Sequence, residues 1–62
     1  MELMAISRIE HLNPVKLEMD LNEKPIVYHV TYGRNHVETK SLDTAKNIYV
    51  QYIQKQMQDK MF

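Results

Sequence analysis

Two imidazoles and a carboxylate are the side chains of this sequence best suited to hold a ligand. His29 falls in an alternating apolar–polar run, and His36 and Glu38 follow one turn later. If residues 26–32 and 37–40 are neighbouring strands, His29 and Glu38 point to the outer sheet face and His36 sits at its rim. Together they would offer a metal ion two nitrogens and an oxygen. Polar residues also belong on a solvated strand face, and ligand-type spacing by itself specifies little. The expectation is therefore a solvated surface with no metal and no cofactor. His11 lies in a segment that the pattern leaves open and adds no ligand.

No nucleophile has a recognisable setting. Of the two serines, Ser41 is placed to cap a helix and Ser7 has no partner in view. Gly33 is the single glycine, so there is no phosphate-cradling loop. No two carboxylates fall in a probable cleft, and 62 residues leave little room for a pocket of the usual ~300 Å³ or more. The chain is expected not to be an enzyme.

Composition narrows the classes further. Eight Lys+Arg balance eight Asp+Glu, whereas a protein that binds nucleic-acid phosphates normally carries a basic excess. The charge is uneven along the chain. Arg8 and Lys16 face Glu2, Glu10, Glu18, Asp20 and Glu23 in residues 1–23, a net −3, and residues 24–62 carry +3. A dipolar chain of this kind can associate with itself or with a partner of mixed charge. There is no cysteine, which fits a reducing compartment. No apolar run reaches the ~20 residues of a membrane span, and no secretory signal is visible at the N-terminus. A soluble, cytoplasmic protein without membrane contact is expected.

The elements that would position these groups are legible from periodicity. Residues 1–12 carry Leu3, Met4, Ile6, Ile9 and Leu12, which fit neither a period of 2 nor of 3.6, so a short helix and an edge strand stay open. Val15 to Leu21 alternates, with Val15, Leu17, Met19 and Leu21 inward. Residues 22–25 read as a turn. Ile26, Tyr28, Val30 and Tyr32 then form the inner face of a second strand, which pairs Leu17 with Val30 and Met19 with Tyr28. Residues 33–36 read as the next turn, and Val37 to Lys40 as a third strand. An even-length loop keeps Val37 inward and sets it opposite Tyr32.

Ser41 is a good N-cap, Asp43 complements the helix dipole, and nothing breaks a helix through Lys60. The sequence predicts an α+β fold: a three-stranded antiparallel β-meander (15–40) packed by one long C-terminal α-helix (41–62), a βββα order, with an uncertain N-terminal arm (1–14). The whole forms one small domain.

That helix is apolar too far round. Leu42, Ala45, Ile48, Tyr49, Tyr52 and Ile53 cover one side, and Val50, Met57 and Met61 extend it to nearly ~200°, where one sheet needs little more than ~100°. Past Ile53 the core side turns polar at Gln56 and Lys60, which predicts that the last turns overhang the sheet. A domain this small buries only ~60% of its unfolded surface and needs help to be stable. With disulfides excluded, association is the simplest help. Tyr49, Val50, Tyr52, Ile53, Met57 and Met61 are the candidates for self-association into a homodimer. Tyr28, Tyr32, Tyr49 and Tyr52 fit a core equally well, although tyrosine is also enriched at interface hot spots. His29, Thr31, Arg34 and His36 are the open-face candidates for contact with a larger protein partner.

The passage HVETKSLDTAKNIYVQYI, following two strands, resembles the strand-to-helix passage of the arm-type DNA-binding domains of phage integrases. The likeness covers residues 15–58 at the level of element order. It implies a sheet that enters the major groove, with Arg34, His36, Lys16 and Lys40 as the contacting groups. The outer face departs from that family by setting Glu18, Asp20 and Glu38 among Lys16 and Lys40. The leading expectation is thus a small non-catalytic inhibitor or adaptor, of a kind phages and mobile elements encode. A nucleic-acid-binding module is the alternative.

Overall fold

The computed structural model describes residues 1–61; Phe62, the last residue of the expected helix, lies outside them. Four strands precede one helix: β1 (Glu2–Ser7), β2 (Val15–Asp20), β3 (Val27–Tyr32), β4 (Asn35–Thr39) and α1 (Leu42–Lys60). The strands form one antiparallel sheet in the order β1-β2-β3-β4, with α1 across one face. The α+β architecture is the expected one, and the N-terminal arm supplies a fourth strand.

A bulge breaks the alternation of that strand. Leu3 pairs with Glu18 and Ala5 with Leu17, so Met4 is an extra residue without a partner. Across it the face alternation changes phase. Leu3 and Ile6 lie on the outer face, and Ala5 and Ser7 on the inner one. The bulge also bends an edge strand whose free backbone would otherwise invite pairing with another chain.

The β2–β3 register is the expected one, with Leu17 opposite Val30 and Met19 opposite Tyr28. The β3–β4 register differs. Asn35 and His36 belong to β4, so the turn is only Gly33-Arg34, and Val37 faces Val30 instead of Tyr32. Both loop lengths are even, so Val37 stays inward in either case. Gly33 has φ +59, which suits the first central position of a two-residue hairpin. A Cβ there would sit 3.0 Å from Asn13 Nδ2. Gly33→Ala is expected to lose about 1–2 kcal/mol and to lower the thermal midpoint by roughly 5–15 °C. An unchanged melting curve would show that the turn relaxes freely.

Val15, Leu17, Val30, Tyr32 and Ala45 form the buried core. Ala45 carries only a methyl group, so α1 lies close over Leu17 and Val30, with Tyr28, Ile48, Tyr49 and Tyr52 packed around them. At the helix start Ser41 Oγ accepts from the Thr44 amide at 3.2 Å, and Asp43 lies in the first turn.

The turns after Ile53 do not overhang as expected. Gln56 is fully buried. Its Nε2 donates to Ser7 O at 3.0 Å and to Asn13 O at 2.9 Å, and its Oε1 accepts from Ser7 Oγ at 2.8 Å. One turn later Asp59 accepts from the Tyr32 hydroxyl. That hydrogen bond, then burial, then the carboxylate charge hold the Tyr32 phenol above its ordinary pKa. Burial raises Tyr49 as well. The polar residues on the core side are therefore ties from the helix to the sheet and to the β1–β2 connection.

Candidate functional site

The outer sheet face is ordered by the strand register. Glu18, His29 and Glu38 stand opposite one another on β2, β3 and β4, and Lys16, Thr31 and His36 form the next row. The observed two-residue turn creates this arrangement. Under the register expected from sequence, Glu38 would have faced Thr31, and His36 would have stayed in the turn.

Side chains of the two rows converge. His29 Nδ1 lies 3.2 Å from His36 Nε2. His36 Nε2 lies 3.4 Å from Glu38 Oε1, and His29 Nδ1 lies 3.6 Å from that same oxygen. The rings are 5.2 Å apart and tilted by 41°. Behind them, Thr31 Oγ1 lies 3.0 Å from His36 Nδ1. The His29 side chain is 12% exposed, that of His36 44% and that of Glu38 61%. The group thus has a sheltered floor and an open top. A shallow hollow lined by Val27, Glu38, Thr39 and Lys40 adjoins it.

Of the four open-face candidates, His29, Thr31 and His36 form one connected group, while Arg34 sits apart and exposed in the β3–β4 turn. Lys16 adjoins the group in register and Lys40 lies past the end of β4. Glu18 and Glu38 lie between these cations, so the face has mixed charge and no basic stripe. The sequence reading missed Thr31 as the hydrogen-bond partner of His36 and Glu18 as the cross-strand neighbour of His29. The first depends on the two-residue β3–β4 turn, which sets Thr31 opposite His36; the second was already implied by the expected β2–β3 register.

The six self-association candidates divide. Tyr49 and Tyr52 turn toward the sheet and pack on the core, with Tyr52 and Tyr32 rings 6.4 Å apart. Ile53 is half-buried. Val50, Met57 and Met61 are 52%, 57% and 82% exposed. Intervals of seven and four residues put Val50, Met57 and the C-cap residue Met61 in one stripe along α1 and its end. Among the described residues, no helix is long and apolar enough to cross a membrane.

The chain matches no protein-family model, no curated protein and no solved structure. The candidate surfaces stand on their own geometry.

Proposed function

We propose that this chain is a non-catalytic interaction protein that acts as a homodimer, an inhibitor or adaptor for a larger protein partner. The observation that carries this reading is the exposed Val50–Met57–Met61 stripe, which continues from half-buried Ile53. Methionines adapt their shape to a facing surface, and two copies of one stripe can meet about a two-fold axis. The accessible surface supports the same reading. It is 4632 Å² for a 7.4 kDa chain, where mass scaling gives about 4,200 Å² for an ordinary monomer. The excess comes with an elongated body of 40 × 18 × 17 Å. With the helices paired, the outer sheet faces stay free, and His29, Thr31, Arg34 and His36 would meet the partner and block its functional surface sterically.

Sedimentation equilibrium at micromolar concentration is expected to give about twice 7.4 kDa. The double substitution Val50→Glu, Met57→Glu is expected to halve that mass and to leave the far-ultraviolet helix signal unchanged, because both side chains are exposed. A monomeric wild type, or a variant that keeps the dimer mass, overturns the proposed seam.

A further inference from the structure

We propose that His29, His36 and Glu38 bind one divalent transition-metal ion, zinc above others, and that the ion clamps β3 to β4. The three donor atoms are separated by 3.2, 3.4 and 3.6 Å. A tetrahedral zinc with bonds of ~2.0–2.1 Å holds its ligand atoms ~3.3–3.4 Å apart. The triangle is thus already close to the face of a zinc tetrahedron, and the exposure of His36 and Glu38 leaves the site accessible to a fourth ligand. Two imidazoles and one carboxylate form a donor set suited to zinc, and the open vertex leaves room for water or an incoming donor.

The surroundings are those of a ligand set. A metal-binding imidazole needs its other nitrogen held by a hydrogen-bond partner. Thr31 Oγ1 is that partner for His36 Nδ1. A proton on Nδ1, donated to Thr31, leaves the Nε2 lone pair facing His29 and Glu38. With the ion bound, His29 would carry its proton on Nε2 and turn its Nδ1 lone pair to the same centre. A single hydrogen can bridge only one pair of these three atoms at a time, whereas a cation at their centre satisfies all three. The physical return is also clear. The domain has no cysteine and, among the described residues, five buried hydrophobic ones, and metals are one of the few staples available to so small a core.

Titration calorimetry of the full chain with zinc chloride tests this. One ion per chain is expected, and cobalt(II) in its place is expected to give the visible absorption of a tetrahedral site. His36→Ala and Glu38→Gln should each weaken zinc binding by more than the ~10–100-fold that an outer-shell contact is worth, and Thr31→Val by about 10-fold. His11→Ala, at an exposed residue far along the chain, should change nothing. Thermal unfolding gives an independent readout: zinc in excess should raise the wild-type midpoint and not that of His36→Ala. No zinc uptake up to millimolar concentration overturns the proposal, as does a His36→Ala variant that binds like the wild type. His36 and Glu38 are exposed, so the circular dichroism of His36→Ala and Glu38→Gln is expected to match that of the wild type.

Discussion

Replacing Gln56 with leucine is expected to destabilise the protein by about 2–4 kcal/mol, although it puts an apolar side chain at a fully buried position. On hydrophobicity alone the change should help, since the glutamine interrupts the apolar side of α1. The geometry reverses the sign. Gln56 satisfies the carbonyls of Ser7 and Asn13 and the hydroxyl of Ser7. Leucine would leave all three groups without a partner, and each buried unmet group costs ~1–3 kcal/mol. Ser7 is only half-buried and Asn13 is exposed, so water can reach part of the gap, and the expected total stays below the sum. A domain of this length has about 3–9 kcal/mol in all, so the change removes much of it. In urea the midpoint should fall by ~2–4 M, given a slope near ~1 kcal/mol/M. Ser7→Ala should cost less, and the double variant should cost less than the two singles combined, because they share one hydrogen bond. A leucine variant as stable as the wild type would show that the glutamine is not a structural tie.

The same residue marks the limit of what periodicity could reveal. The partners of Gln56 lie 49 and 43 positions away, and no local pattern indicates that a polar side chain will find them. By contrast, the β2–β3 pairing was legible, because only one register sets Leu17 and Met19 against Val30 and Tyr28. The β3–β4 pairing was legible only in parity. Two-residue and four-residue loops both keep Val37 inward, and the difference slides β4 by two residues. That slide matters more for the outer face than for the core, since it decides whether Glu38 faces His29 or Thr31. The ligand types were visible in the sequence, and their convergence was not. β1 was obscured for a related reason, as the bulge at Met4 splits its alternation into two short pieces of opposite phase.

Leu17→Ala is expected to remove about 2–5 kcal/mol and to leave the chain largely unfolded at low micromolar concentration. Leu17 is 4% exposed. It stands opposite Ala5 on one side and Val30 on the other, directly beneath Ala45. Alanine already occupies two of these neighbouring positions, so only the surrounding Tyr28, Ile48, Tyr49 and Tyr52 could move to fill the cavity, at the cost of their own packing. The variant is also a sensitive detector of association. If the native state is a dimer and the unfolded state is not, mass action favours folding as protein concentration rises. A tenfold increase then contributes about 1.4 kcal/mol per dimer. A destabilised chain near its midpoint reports that shift clearly, whereas the wild type, almost fully folded throughout, would hide it. The folded fraction of Leu17→Ala should therefore climb between 1-fold and ~100-fold concentration, by the same constant. Adding Val50→Glu and Met57→Glu should abolish the climb without repairing the core. A folded fraction that ignores concentration in the Leu17→Ala chain would separate the two ideas: the core reading would stand, and the helix seam would not.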